Sequence, residues 1–247
     1  MNNLIFNFKS KDSKKIKNPK NLLGGKGANL SEMGRMGLPV PPGFTISTKV
    51  CEIFYKDKKK LNSKLISQIK KEIKVIEKDV SKKFGDLKNP LLLSVRSGAR
   101  VSMPGMMDTI LNLGLNDKTV VALANKTSNG RFAKDSYRRF IQMYGNVVMG
   151  VESYNFEELI ENYKLTKGVL LDTDLDEEDW DGLINDFKNV VKEKTSKDFP
   201  QDVYHQLFGA ISAVFLSWES KRAKVYRKLN QIPSEWGTAV NVQSMVF

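Results

Sequence analysis

Apolar residues recur every three or four positions over residues 61–84, and this spacing predicts one amphipathic helix. The apolar stripe consists of Leu61, Leu65, Ile69, Ile73, Ile76, Val80 and Phe84. Lysines occupy much of the remaining surface of this helix. Because such a stripe has to be buried, we interpret the helix as a packing element rather than a functional site.

Short apolar runs bounded by glycine and proline predict β-strands in the same half of the chain. These runs are residues 44–46, 91–95 and 107–113. A pair of glycines at residues 24–25 predicts a turn that leads into a short helix over residues 26–36. Gly37 is the expected end of that helix, because glycine readily adopts the left-handed conformation.

The following segment, residues 115–200, has helical spacing of its apolar positions and no strand pattern. A long helix is predicted over residues 202–230, and residues 238–247 have the composition of a strand. The acidic run at 172–179 lacks the glycine and glutamate of a calcium loop, so we expect it to favour the start of the next helix.

This order of elements predicts an α+β fold with two parts. We expect residues 1–114 and 201–240 to form an α/β lobe that carries an inserted α-helical subdomain, residues 115–200. The chain ends inside its last predicted strand, which suggests a truncated polypeptide, because a strand without a partner exposes unpaired backbone groups.

The composition is that of a folded, water-soluble protein. Of 247 residues, 40% are hydrophobic and 28% are charged. One cysteine, Cys51, and one histidine, His205, cannot build a disulfide framework or a Cys/His zinc site. No apolar run is long enough to cross a bilayer, and the N-terminus does not resemble a secretory signal. We therefore expect a cytoplasmic location without membrane contact.

The formal net charge is +12, which permits binding to a polyanion such as nucleic acid. The lysines are concentrated in residues 9–20 and 56–88 and are not interleaved with aromatic residues, as a nucleic-acid stacking surface requires. A solvated lysine-rich surface is therefore the favoured interpretation, and a polyanion-binding module is the alternative.

The glycine-rich segment at residues 24–30 (GGKGANL) places a cation, Lys26, among glycines. Such a segment can present backbone N–H groups and a positive charge to a phosphate chain. No Walker A pattern is present, and the dinucleotide-binding pattern that would start at Gly25 fails because its last position is Leu30. An ordinary glycine turn at the start of a helix is the alternative.

A second cation, Arg96, follows the apolar run 91–95 directly, between Ser94 and Ser97. An arginine there is costly to desolvate without an anion, so we expect it to face a ligand or, alternatively, an internal Asp or Glu. The two cations, Lys26 and Arg96, are predicted to converge on one triphosphate pocket.

The methionine-rich turn that follows, residues 103–107, admits two interpretations. Its thioethers could fill a gap in the core. Alternatively, the turn could bring the backbone at Gly105 close to a phosphate, with the hydroxyl of Thr109 nearby.

Together these segments resemble the nucleotide-binding part of the pyruvate, phosphate dikinases. The resemblance lies in residues 21–30 (NLLGGKGANL), 37–44 (GLPVPPGF), 94–109 (SVRSGARVSMPGMMDT), 136–145 (SYRRFIQMYG) and 237–243 (GTAVNVQ). It runs through nearly the whole chain in order. The phosphoenolpyruvate synthases share the glycine-lysine and Val-Arg-Ser segments and are the alternative family.

The resemblance implies the first lobe of an ATP-grasp domain, a mixed sheet with packed helices, in which two lobes clamp ATP or AMP. Lys26 and Arg96 then match the phosphate-binding cations and carry the catalytic role. The implied nucleotide-binding residues are Lys26, Arg96, Gly105, Asp108, Thr109, Gln243 and Met245. Gln243 and Met245 belong to a strand that meets adenine, and residues 241–247 would begin the second lobe.

The resemblance also implies partners outside this chain. In the family, the β-phosphate of ATP passes to a histidine on a swivelling domain, for the formation of phosphoenolpyruvate. Mg²⁺ is the expected cofactor, its carboxylate ligands are expected beyond residue 247, and the full enzyme is expected to be a homodimer. The surroundings of His205 do not match the phosphorylated histidine. We therefore expect an inactive enzyme fragment, with a regulatory or interaction remnant as a further alternative.

Overall fold

A computed structural model of the protein describes residues 3–10, 13 and 15–246. They fall into two compact units. The first unit comprises the described residues of 1–81, 93–109 and 208–247, and the second comprises residues 82–92 and 110–207.

The strands and helices alternate along most of the chain. The strands are β1 (Ile5–Asn7), β2 (Gly43–Ile46), β3 (Lys83–Phe84), β4 (Pro90–Leu91), β5 (Leu93–Ala99), β6 (Thr109–Leu113) and β7 (Thr238–Ser244). The helices are α1 (Pro19–Arg35), α2 (Thr48–Lys56), α3 (Ser63–Val80), α4 (Thr119–Thr127), α5 (Gly130–Val147), α6 (Ser153–Lys167), α7 (Glu177–Thr195), α8 (Val203–Ser217) and α9 (Lys221–Leu229). Short 3-10 helices lie at Asp172–Asp174 and Ser234–Trp236.

The first unit contains four antiparallel strands in the order β1-β2-β7-β5. Strand β7 is buried along its whole length and hydrogen bonds with β2 on one side and β5 on the other. Residues 241–244, which we assigned from the sequence to the start of a second lobe, therefore lie inside this sheet. The α+β class predicted from the sequence is confirmed.

Arg96 lies in the middle of β5, opposite Asn241 of β7, and not at the end of a strand as predicted. The prediction failed because the apolar run stops at Val95, whereas the backbone pairing with β7 continues to Ala99. The polar residues Arg96 and Ser97 are accommodated because they are only partly buried.

Helix α3 buries the predicted stripe, including Leu65, Ile69, Ile73 and Ile76. It ends earlier than predicted, because Ser81 adopts the left-handed conformation and closes the last turn onto the carbonyl of Glu77. Phe84, the last predicted member of the stripe, belongs to β3 instead.

Helix α1 is kinked at Gly24, which leaves the helical conformation with φ 69° and ψ 172°. The glycine turn that the sequence predicted ahead of residues 26–36 is therefore confirmed. The helical segment before the kink, which begins at Pro19, was not predicted, and proline favours such a first turn. Gly37 has φ 78° and follows the helix, as the sequence predicted.

The long helix predicted over residues 202–230 is two helices, α8 and α9. The interruption follows Ser217, where the side chain of Ser220 accepts a hydrogen bond from the backbone of Ala223 and caps α9. The apolar spacing of the sequence does not reveal this break, because both helices carry buried apolar residues.

The second unit is dominated by helices, as predicted for residues 115–200, and within that range the described structure has no strand. Aromatic rings from α5 pack around Phe199, with contacts from Tyr137, Phe140 and Tyr144. Asp176 caps α7, in agreement with the prediction that the acidic run favours the start of a helix. Among the described residues, no helix is both long and apolar enough to cross a membrane.

Candidate functional site

The glycine-rich segment of α1 packs directly on β5. A Cβ atom built on Gly24 would lie 1.6 Å from the carbonyl oxygen of Gly98, and Gly24 has a positive φ of 69°. No other residue type fits this position without moving the backbone. The glycines therefore bring the segment that carries Lys26 into contact with the strand that carries Arg96.

Gly27 makes a second close contact, with the pair Thr45 and Asn241. Thr45 Oγ1 donates a hydrogen bond of 2.7 Å to Asn241 Oδ1, and both side chains are buried. A Cβ at Gly27 would lie 2.6 Å from Thr45 Oγ1 and 2.9 Å from Asn241 Oδ1. Two positions of the segment, Gly24 and Gly27, are thus fixed on either side of Lys26.

The positive charge of Arg96 acts on Lys26. Burial lowers the pKa of Lys26, and the positive charge of Arg96 lowers it further. The buried Nε of Arg96 has no hydrogen-bond partner in the part of the chain that the structure describes. Arg96 also forms no ion pair with any residue there, so the alternative of an internal Asp or Glu partner is wrong. Two neighbouring cations without a counter-charge constitute a site suited to an anion.

A cleft of ≈ 580 Å³ opens beside these cations. Its lining combines glycines, small hydroxyl residues and one cation: Gly25, Lys26, Asn29, Ser97, Gly98, Ser102, Gly105 and Thr109, together with apolar neighbours. Among the residues that the structure describes, no Asp or Glu contributes to this lining. The structure therefore brings together three of the residues that the sequence singled out, Lys26, Gly105 and Thr109, and Arg96 lies next to the cleft through Ser97.

The methionine-rich turn contributes to both the core and the cleft. Met103 is buried and packs against Trp218, so the interpretation as a core filler holds for this residue. Gly105 has φ 70°, and a Cβ there would meet nothing within 4 Å, so its backbone faces open space. The tip of the turn therefore leaves room for a ligand, while its base is anchored.

Asp108 anchors this turn rather than lining the cleft. Its carboxylate pairs with Arg222, and its backbone N–H donates to Ser217 Oγ at 3.4 Å. Arg222 Nε also donates to the carbonyl of Met106 at 3.2 Å. Burial raises the pKa of Asp108, and the charge of Arg222 opposes that rise.

Gln243 and Met245 do not line the cleft. Gln243 is 9% exposed, and its Nε2 donates to the carbonyl of Pro41 at 3.1 Å. Met245 is half-buried and follows the last residue of β7. These two residues lie at the end of the strand that contains Asn241.

Sequence reasoning missed Thr45 and Asn241. Asn241 is 1% exposed, and its Nδ2 has no hydrogen-bond partner among the residues described. The sequence did contain a signal for Asn241, since it is the one polar residue in the apolar run 239–242. A polar side chain that is buried in a strand requires a hydrogen-bonding partner or a ligand.

No group of three or more His, Cys, Asp or Glu residues in the described parts of the chain is placed to hold a metal ion. The donor set around the cleft consists of cations, hydroxyls and an amide, which does not match the carboxylates that Mg²⁺ prefers.

A cationic, glycine-lined cleft in an α+β unit is typical of proteins that bind phosphorylated ligands. The family model described as "Pyruvate phosphate dikinase, AMP/ATP-binding domain" matches residues 20–71 and 58–247. The chain belongs to this family.

The similarity to curated relatives extends over nearly the whole chain. The chain is 56% identical over 229 residues to pyruvate, phosphate dikinase of Clostridium symbiosum. The aligned region covers 92% of this chain and 26% of the relative. It is 53% identical over 243 residues to the chloroplastic pyruvate, phosphate dikinase of Flaveria pringlei, covering 98% of this chain and 25% of the relative. The chain spans about a quarter of the length of these relatives.

Proposed function

We propose that this chain binds the phosphates of ATP in the cleft beside Lys26, Gly105 and Thr109. The observation that carries this proposal is the proximity of Lys26 and Arg96 without a counter-charge, next to a cleft lined by glycines. The family description, an AMP/ATP-binding domain, supports the same class of ligand.

The chemistry of the lining suits a polyphosphate. The two cations would neutralise the charge of the phosphates, and the open backbone at Gly105 would allow close approach. The hydroxyl of Thr109 would donate a further hydrogen bond. Asp108 would act by anchoring the turn through Arg222, and it would not contact the nucleotide directly.

We further propose that the first unit is the first lobe of an ATP-grasp domain. Gln243 and Met245, at the end of β7, would then lie on the adenine side of the nucleotide. Residue 245 is partly accessible, whereas the side chain of Gln243 is held by Pro41. For the side chain of Gln243 to contact adenine, its hydrogen bond to Pro41 would have to break. Alternatively, the backbone of Gln243 would make the contact with adenine.

The relatives are named pyruvate, phosphate dikinases, and we propose that the chain performs the ATP-binding step of that reaction. The complete reaction would convert ATP, phosphate and pyruvate into AMP, diphosphate and phosphoenolpyruvate. A histidine outside these 247 residues would accept the β-phosphate, because His205 is exposed on α8 and its surroundings do not match that histidine.

Mg²⁺, when bound to the nucleotide, would supply further charge neutralisation. Because the lining offers no carboxylate, the described residues would not hold the ion. We propose on this basis that the chain alone does not complete phosphoryl transfer.

Isothermal titration calorimetry with ATP, with and without magnesium, tests the proposed site. The variants Lys26→Ala and Arg96→Ala should each weaken binding by about ten-fold or more, because each removes a charge-assisted contact. The matched control is Lys71→Ala, which removes the same charge from the exposed face of α3. Equal affinity of the wild type and all three variants would overturn the assignment.

Salt dependence separates this function from general binding of polyanions. Nucleic-acid binding through lysine-rich faces would weaken steeply and uniformly with salt, whatever residue occupies position 26. Electrophoretic mobility shifts at low salt, with Lys26→Ala and Lys71→Ala compared, would reveal that behaviour. We expect no shift for either variant or for the wild type.

A further inference from the structure

A second cleft, of ≈ 950 Å³, lies in the first unit near the end of β5. We call it the Arg100 cleft. Its charged lining residues are Lys49, Glu52, Lys56, Lys59, Arg100, Glu219, Lys224 and Glu235. Its walls include Tyr55, Trp218 and Trp236. It shares no lining residue with the cleft beside Lys26.

Arg100 is held against one wall without a polar partner. Its guanidinium carbon lies 5.1 Å from the centre of the Trp236 ring, a distance at which the ring attracts a cation. Its Nε is buried and donates no hydrogen bond within the described part of the protein. Burial lowers the pKa of Arg100, and the carboxylate of Glu235 opposes that effect.

Most of the carboxylates in the Arg100 cleft are already neutralised by neighbouring cations. Glu52 pairs with Lys56 at 2.6 Å, and Glu219 pairs with Lys224 at 3.1 Å. Glu219 also pairs with Arg227 at 3.1 Å. Glu235 is thus the one lining carboxylate, among those described, without an ion pair.

The remaining charge in the Arg100 cleft is positive. Arg100, Lys49 and Lys59 line it and form no ion pair with any described residue, against the single carboxylate of Glu235. Three cations around one cavity attract a ligand that carries several anionic groups. The planar N–H edge of a guanidinium can bind a carboxylate or phosphate through two hydrogen bonds.

We propose that the Arg100 cleft binds a small organic polyanion, with Arg100 as the central contact and Lys49 and Lys59 at its rim. Trp236 holds the guanidinium in place through its ring, and the terminal N–H groups of Arg100 bind the ligand. The volume exceeds that of a single phosphate ion and suits a compact molecule with two or three anionic groups. Carboxylates and phosphates both provide such anionic groups, and titrations with citrate and diphosphate distinguish them.

The backbone connects the Arg100 cleft to the proposed nucleotide site. Ala99 lines the cleft beside Lys26, and the next residue, Arg100, lines the other. Ala99 is the last residue of β5, and the chain bends at Arg100 directly after it. A ligand on Arg100 is therefore adjacent to, and separate from, the proposed phosphate contacts.

Titration of the full chain with citrate, and in parallel with diphosphate, tests the proposal. Tryptophan fluorescence provides the readout, with Trp236→Phe identifying the reporter. Arg100→Ala should weaken citrate binding by about ten-fold or more, and Arg100→Lys should weaken it less. Lys26→Ala should leave citrate binding unchanged, because Lys26 lies outside this cleft.

The outcomes separate the two sites. Loss of citrate binding in Arg100→Ala, with ATP binding retained, supports the Arg100 cleft even if the nucleotide assignment fails. Diphosphate binding that depends on Arg100 and not on Lys26, without citrate binding, would assign phosphates as the ligand. No saturable binding of either probe, or equal binding in the wild type and Arg100→Ala, would overturn the proposal.

Discussion

Thr45 and Asn241 form a buried hydrogen bond between adjacent strands of the sheet, and Gly27 packs on this pair. The contact connects the centre of the sheet with the segment that carries Lys26. The pair is costly to bury, because the Nδ2 of Asn241 has no hydrogen-bond partner among the described residues. Its presence in the sheet therefore indicates a structural or functional requirement.

Replacing Asn241 by Ala should destabilise the protein by about 1–3 kcal/mol, because the hydroxyl of Thr45 loses its acceptor in a buried site. ATP affinity should fall as well, since Gly27 loses part of the surface on which it packs. Chemical denaturation measures the first effect, and calorimetry measures the second.

Thr45→Val tests the same pair from the other side. In the double variant Thr45→Val/Asn241→Ala, the loss of stability should be smaller than the sum of the single losses. Additive losses would show that the two side chains act independently.

Gly24→Ala should destabilise the protein by about 3 kcal/mol or more, because the added methyl group would overlap the carbonyl oxygen of Gly98. Gly37→Ala is the matched control. Gly37 also has a positive φ, but a Cβ there meets nothing within 4 Å, so its cost should be about 1 kcal/mol. Equal losses of stability would show that backbone strain alone, and not packing on β5, explains the requirement for Gly24.

Lys26→Met should raise the Tm of the ligand-free protein while it weakens ATP binding. Burial and Arg96 lower the pKa of Lys26, so the charged form is less favourable in the folded protein than in the unfolded chain. This penalty is present at neutral pH and fades as the pH rises through the lowered pKa. The difference in Tm between the wild type and Lys26→Met should therefore narrow at alkaline pH, which thermal scans over a pH series would measure. A wild type that is more stable than Lys26→Met at neutral pH would contradict this explanation.

Arg222→Ala should loosen the turn that contains Gly105, because Arg222 holds both the carbonyl of Met106 and the carboxylate of Asp108. ATP affinity should fall by a few-fold, and hydrogen exchange at residues 104–108 should become faster. Lys221→Ala, which alters the adjacent exposed residue, is the control. Unchanged exchange in Arg222→Ala would show that Met103 and the hydrogen bond from Asp108 to Ser217 suffice to anchor the turn.

The sequence was sufficient to predict the elements that repeat a clear spacing. The buried stripe of α3 and the helical character of residues 115–200 follow directly from their apolar positions. The break between α8 and α9 could not be predicted in this way, because Ser220 interrupts the helix without interrupting the apolar spacing. The glycine turn at residues 24–25 was predicted, whereas the helical segment that begins at Pro19 before it was missed, because it carries no clear apolar spacing.

The site was predictable where the chemistry is local and unpredictable where it depends on strand register. Lys26, Gly105 and Thr109 could be chosen from their motifs, and the structure places them around one cleft. The contact of Asn241 with Thr45 and Gly27 depends on the pairing of β2 with β7. This pairing joins residues nearly 200 positions apart in the sequence. The ion pair between Asp108 and Arg222 also joins distant parts of the sequence. The motif around Asp108 alone therefore suggested a contact with the nucleotide.

The central position of β7 also has a consequence for biosynthesis. Strands β2 and β5 emerge from the ribosome long before residues 238–244, so their pairing edges must wait for a late partner. Residues 115–200 form a contiguous helical segment that can acquire structure meanwhile. During translation, therefore, the internal helices should gain protease resistance first, and the waiting edges of β2 and β5 are where a chaperone would bind.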